Sequence, residues 1–382
     1  MIPVKAENLH VGTAQNEYQY RKSVESQESG VMLGATSPAY DAARSMDESF
    51  KNLKTVDNDG LKVLAGINIA TQAANLNEMG QGIQTAWKTD GEMPLDSVVK
   101  GTANIGVQMF EDWREVEITK AVLPVIETHR FELVLQGKGK DSGAVMTGVQ
   151  LKAKEADFDI EGDLHLNAAT NERTEVALHR SEMVSLGASV GLQGKVSITG
   201  QGSQQRTDVN SVDLTHTSTH FDIGAFNLKT GGDVTLNGAL VDAKHLQAKI
   251  GGDLEVTSLQ DRSTYTSQDK QLQFSFSIPI EAGVAKANAA KNQNTLDYHQ
   301  NTVTEQSGFQ IGEEGSHVEV QGHTIFTGAI FDVALSAISA GLHYFSTGTL
   351  STQDIQNEAS AHASAKGFSF RLAKSIPCHQ LD

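Results

Sequence analysis

The pattern GVQLKAKEADFDIEGDLHL, Gly148 to Leu166, returns without a gap as GALVDAKHLQAKIGGDLEV, Gly238 to Val256, a shift of 90 residues. Gly148, Gly162, Asp163 and Leu164 fall on identical residues at Gly238, Gly252, Asp253 and Leu254, and the same shift carries Leu228, Gly232, Leu236 and Gly238 onto Val318, Gly322, Phe326 and Gly328. A shorter period lies inside the longer one: Gly232-Asp233-Val234-Thr235-Leu236 recurs 20 residues later as Gly252-Asp253-Leu254-Glu255-Val256. A unit of 20 residues cannot bury an apolar face by itself, so such a chain must stack unit on unit and form one continuous core along an array. The array begins close to Met1, because Asn8-Leu9-His10-Val11, Gln15-Asn16 and Tyr20 stand 245 residues before Asp253-Leu254-Glu255-Val256, Gln260-Asp261 and Tyr265.

Within the repeats, apolar residues alternate with Thr, Lys, Gln, Glu and Asn: Val234 and Leu236, then Val241, then Leu246, Ala248 and Ile250, then Leu254 and Val256. Period-two alternation over four to six residues, broken by Gly-Gly-Asp or Asn-Gly, predicts short strands with one face inward. The class expected is all-β, a parallel β-helix of about 20-residue coils whose inward side chains stack at about 4.8 Å. Leu164, Leu166, Val234, Leu236, Val241, Ile250, Leu254 and Val256 are the expected core. Gly231-Gly232 and Gly251-Gly252 are expected to supply positive φ at the corners, with the following Asp bonding its own turn. Since 90 is not a whole number of 20-residue coils, segments must protrude between runs of coils.

The expected organisation is a β-solenoid segment over 1–40, a helical insertion over 41–95, β-helix repeats over 96–280, a polar connection or protruding hairpin over 281–307, further β-helix repeats over 308–374 and a tail over 375–382. The insertion rests on Leu61, Leu64, Ala65, Ile69, Ala73, Leu76, Met79, Ile83 and Trp87, spaced near 3.6, with Gly60, Gly80 and Gly82 as punctuation. The apolar stretch 328–345 carries Asp332 and His343, which favours a buried helical insert between coils over a membrane span.

Composition excludes several functions. The formal charge is −17, from 47 acidic and 30 basic residues, and such a surface repels a phosphate backbone, so nucleic acid is not an expected partner. One cysteine, Cys378, permits neither an intrachain disulfide nor a Cys-based zinc site. The opening MIPVKAENLHV has no long apolar run after a charged start, and no signal peptide is read in it.

No residue is assigned a catalytic, cofactor-binding or metal-binding role, and no cofactor is expected. His216 and His220 have i, i+4 spacing but no Glu between them, in a strand-rich context, so two solvent-facing histidines are expected. The Gly-Gly-Asp corners stand 20 residues apart, too far for a tandem calcium-binding β-roll, and turn chemistry accounts for Asp163, Asp233 and Asp253. Gly137-Lys138-Gly139-Lys140 and the stretch from Gly187 to Lys195 miss the phosphate-binding GxxxxGK[ST] pattern, no GxSxG elbow is present, and Cys378-His379 is read as a tail. Asp233 and Asp253 on adjacent coils are the place to look for the paired carboxylates of a β-helix polysaccharide lyase or hydrolase, the rival reading. They sit at glycine corners with no basic or aromatic sugar platform.

The segment NSVDLTHTSTHFDIGAFNLKTGGDVTLNGALVDAKHLQAKIGGDLEVTSLQDRSTYTSQDK, with the later TGTLSTQDIQNEASAHASAKGFSF, resembles the haemagglutinin repeats of filamentous haemagglutinin-like exoproteins. The resemblance is strong over 140–277 and 308–372, weaker over 1–40 and faint in the helical part. It implies a right-handed parallel β-helix, export by two-partner secretion through an outer-membrane transporter, and a secreted or outer-membrane-associated location, in a family that includes adhesins and contact-dependent growth inhibition proteins. It transfers no catalytic residue. The expected function is therefore a non-enzymatic structural repeat segment of a surface adhesin or toxin-delivery filament that meets an unnamed target-cell receptor. The missing secretion domain and the abrupt SIPCHQLD end suggest a piece of a larger protein.

Overall fold

The computed structural model describes residues 1–36, 100–137, 142–191, 196–280 and 283–376. The helical insertion expected over 41–95, the Lys138–Gly139–Lys140 run, the end of the Gly187 to Lys195 stretch and the tail with Cys378-His379 lie outside these residues. Among the described residues the protein is a parallel β-helix joined to a large antiparallel sheet.

Two parallel sheets form the solenoid. The first runs β1 (Ile2–Ala6), β5 (Val125–Leu135), β7 (Gln150–Ile160), β11 (Thr219–Thr230) and β13 (Ala239–Ile250). It continues in broken strands, β17 (Gly308–Ile311) with β18 (Ser316–Val320), then β20 (Ile330–Val333) with β21 (His343–Ser346). The second runs β2 (Leu9–Val11), β6 (Ala144–Thr147), β8 (Leu164–Asn167), β12 (Val234–Asn237), β14 (Leu254–Thr257), β19 (His323–Thr327) and β22 (Thr349–Gln353). The stretch 328–345, expected as a buried helical insert, instead supplies β20, the start of β21 and only the five-residue helix α1 (Leu335–Ser339), in which Ala337 is buried but Leu335 and Ile338 are exposed. No helix among the described residues is long and apolar enough to cross a membrane, which leaves strands aside.

The antiparallel sheet consists of β3 (Ala14–Thr36), β4 (Lys100–Val122), β9 (Ala169–Gly191), β10 (Val196–Thr217), β15 (Asp261–Pro279), β16 (Gly283–Thr302) and β23 (Glu358–Ile376), side by side in chain order. Its hairpins leave the solenoid only from alternate coils, so much of the span 96–280 lies in the arms rather than in the coils. Where a coil closes directly, the pairing partner is 20 residues away, as for Thr219 and Ala239; where an arm intervenes it is 70 away, as for Gln150 and His220. One coil of each kind makes the 90-residue period.

The alternation read from sequence places its apolar face inward. Leu133, Leu135, Leu164, Val234, Leu236, Leu254 and Val256 are at most 1% exposed, and Leu166, Val241 and Ile250 are equally enclosed. They stack as ladders, for example Ala144, Leu164, Val234 and Leu254 along the second sheet. Phe158 anchors an aromatic cluster, edge-on to Phe226 at 5.1 Å, Phe131 at 5.7 Å and Phe221 at 6.0 Å. These rings contribute packing beyond the area they bury, about 0.5–1.5 kcal/mol per pair.

The glycines of the repeat do two different jobs, and the expectation for the double-glycine corners is corrected. Positive φ falls on Gly148 (66°), Gly238 (70°) and Gly328 (58°), each 90 residues apart, where β6, β12 and β19 turn directly into the next strand. Gly231, Gly232, Gly251 and Gly252 do not have positive φ. They are glycine because adjacent coils touch there: a Cβ on Gly232 would stand 1.9 Å from Asp163 Oδ1, and one on Gly252 2.0 Å from Asp233 Oδ1. Close approach, rather than an unusual backbone angle, selects them.

Where an arm leaves, the ladder of backbone bonds is interrupted and hydroxyl side chains replace it. Thr219 Oγ1 donates to the Asn167 carbonyl at 2.6 Å and accepts the Val149 N–H at 3.1 Å. Ser307, 88 residues later, does the same for the partners one period on, donating to the Thr257 carbonyl at 2.8 Å and accepting from Ala239 at 3.2 Å.

Candidate interaction surfaces

The corner carboxylates read from sequence form a structural column. Asp163 Oδ1 accepts the Asp233 N–H at 2.8 Å, Asp233 Oδ1 accepts that of Asp253 at 2.8 Å, and Asp253 Oδ1 accepts that of His323 at 2.7 Å. Asn8, the residue 245 positions before Asp253, does the same for Gly143 at 2.9 Å. Each carboxylate therefore reaches the next coil rather than its own turn, and this inter-coil bond was not readable from a single repeat.

The two histidines of the i, i+4 pair belong to different carboxylates. His216, in β10, meets Asp261 at 3.2 Å through Nδ1, and His220, in β11, meets Asp242 at 2.7 Å through Nε2. Among the described residues no group of three or more His, Cys, Asp or Glu is arranged to hold a metal ion.

A different acidic row, missed from sequence, lines the outside of the first parallel sheet. Asp222 pairs with Asp242 across adjacent coils, and with Lys244, Gln310 and Asp332 they border an open groove. Lys152 Nζ binds Asp222 at 3.0 Å, and this hydrogen bond and charge hold its ammonium above the ordinary lysine range. Their outward placement depends on the parity of β11 and β13, legible only once the inward ladder is known.

The antiparallel sheet offers the largest unusual surface. In register, side chains directly opposite one another share a face, and toward the hairpin tips one face is apolar. One row runs Phe370, Ala289, Phe274, Gly202, Val184, Val107; the next begins at Leu372 and ends at Ile105. Leu186 is 58% exposed, Phe370 55% and Ile105 68%. Gly200 and Gly202 make room for the rings of Phe276 and Phe274, which a Cβ would meet at 2.3 Å. The opposite face carries Ser185, Gln201, Ser203, Gln273 and Ser275 at the alternate positions. Nearer the solenoid the strands carry ion pairs: Glu175 accepts from Arg114 at 2.8 Å and Arg173 at 2.9 Å. Burial pushes its pKa up, but the two guanidinium groups outweigh that and hold it below the usual range.

A stacked parallel core, glycine-dependent coil contacts and hairpin arms at every second coil define an architectural repeat protein. Residues 133–274 match the family described as haemagglutinin repeat, and this region is a haemagglutinin-repeat segment of the filamentous haemagglutinin-like, contact-dependent growth inhibition kind. The chain is 26% identical over 91% of its length to a protein named deoxyribonuclease CdiA from Yersinia pseudotuberculosis, of which it covers 32%. It is 26% identical over 92% of its length to a toxin CdiA of Yersinia pestis, covering 10% of that protein, and 30% identical over 64% to a toxin CdiA of Escherichia coli, covering 8%. The chain thus spans a third or less of these relatives. No solved structure matches it.

Proposed function

We propose that the chain is a non-catalytic architectural segment of a secreted bacterial exoprotein that carries a toxin to a neighbouring cell. The observation that supports this most directly is the use of its repeat carboxylates: Asp163, Asp233 and Asp253 each accept a backbone N–H of the following coil, which makes them part of the stack. The deoxyribonuclease and toxin functions in the relatives' names would then reside in parts of those proteins beyond this segment. An outer-membrane two-partner secretion transporter would export the full-length protein, and a target-cell surface receptor would meet it.

Two measurements test the reading. Antibody to residues 133–274 should label intact producing cells, and deleting the partner transporter should abolish the label; labelling only after lysis would refute surface display. The purified chain should cleave neither DNA nor polyuronic acids. Cleavage that Asp222→Asn with Asp242→Asn removes, at unchanged circular dichroism, would make the segment an enzyme instead.

A further inference from the structure

We infer that the apolar tip of the antiparallel sheet is a homodimer interface, covered by the same face of a second copy of this chain. Three observations carry this beyond the architectural role.

The first is size. Six strands, β23 to β4, carry the two apolar rows; with one mixed row on either side, through Phe368 and through Lys374 on β23, the face occupies about 800 Å² at about 4.8 Å between strands and about 6.8 Å between same-face residues. That is the area each partner contributes to a standard stable interface, and the two apolar rows make up about half of it.

The second is the distribution of charge bordering the patch. On the same face, Lys366 and Lys270 lie toward the β23 side, while Glu111 and Glu25 lie toward the β3 side. In the next row outward, Lys291 stands on β16 and Glu182 on β9. The lysines thus lie on one flank and the glutamates on the other, with Arg206 and Arg180 between them in the row of Lys366. A two-fold axis parallel to the strands and between β15 and β10 exchanges the flanks. It sets Lys291 of one copy over Glu182 of the other, and Lys366 over Glu111, each twice.

The third is relief. The same axis puts the bulky Val184 and Leu186 of β9 over the small Ala289 and Ala287 of β16, while Gly202 and Gly200 are already covered by the Phe274 and Phe276 rings of their own chain. Large opposite small lets two twisted sheets approach to the ordinary spacing of about 10 Å. In the bordering row Arg206 is engaged by Asp208 at 2.9 Å and Arg180 by Glu182 at 2.5 Å, and these carboxylates offset the one like-charge contact that the axis makes, Lys270 over Arg206.

Sedimentation equilibrium of the full chain, from 1 to about 100 µM, tests the pairing. The wild type should fit a monomer–dimer equilibrium. Leu186→Glu should be monomeric throughout, and Leu186→Thr, which keeps a strand-forming residue, should weaken the dimer if the glutamate variant does not fold. Glu182→Lys and Lys291→Glu should each weaken dimerisation by roughly tenfold or more through like-charge contact, and the two together should restore it. A wild-type monomer at the highest concentration, or a double variant no better than the singles, overturns the proposal. So does a chain that stays monomeric in buffer but floats with phosphatidylethanolamine and phosphatidylglycerol vesicles through Leu186, since the face would then meet lipid.

Discussion

At the residue scale, the contact between Gly232 and Asp163 shows what this solenoid demands of its corners. Coils separated by one strand spacing leave no room for a methyl group at Gly232, and the carboxylate that occupies the space bonds the next coil. Gly232→Ala should therefore destabilise by about 2 kcal/mol or more through overpacking against a group that cannot withdraw without losing its bond. Asp233→Ala should cost about 1–3 kcal/mol by leaving the Asp253 N–H without its acceptor, and Asp233→Asn should recover most of that, because an amide oxygen also accepts. Thermal unfolding followed by circular dichroism checks both. An alanine at position 232 with unchanged stability would mean that the coils part more easily than their spacing implies.

At the scale of elements, arms are insertions into an otherwise uniform coil. The connection from β12 to β13 is the single residue Gly238, whereas β8 to β11 spans the whole β9–β10 hairpin, and the strands on either side keep the same pairing: Asn167 opposes Asn237 and Thr219 opposes Ala239. Replacing residues 168–218 with one glycine should accordingly convert a long coil into a 20-residue coil that still stacks. The sheet of arms should not survive, since β4 and β15 would lose the two strands between them. Hydrogen exchange should show protected amides in β7, β11 and β13 and fast exchange in β4 and β15. Loss of protection in the coils as well would show that arms and solenoid fold as one unit.

For the whole molecule, the governing quantity is net charge. With −17 spread over the chain, association with a polyanion has to overcome repulsion and has no counterion release to draw on. The purified protein should show no retention of duplex DNA in a filter assay at 0.1 M salt. Binding whose affinity falls steeply as salt rises would reveal a basic surface that the charge total conceals.

The one-dimensional pattern determined the solenoid. Alternating Val, Leu and Ile at a 20-residue period admit few ways to bury both strands of a coil, and Gly148, Gly238 and Gly328 mark the tight turns at the full period, so the core and the stacking direction of the chain follow from local sequence. It also required protrusions, because 90 is not a multiple of 20. Tertiary structure alone decided what those protrusions are. A strand such as β9 alternates as regularly as a coil strand, and only the side-by-side pairing of β9, β10, β15, β16 and β23 brings Leu186, Phe274 and Phe370 onto one face. The double-glycine corners show the same division: their sequence advertises a turn, while the reason for glycine lies in a carboxylate from another coil, which for Gly232 is Asp163, 69 residues away. Contacts within a coil are written locally, whereas contacts between coils and between arms depend on register, which exists only after the chain has stacked.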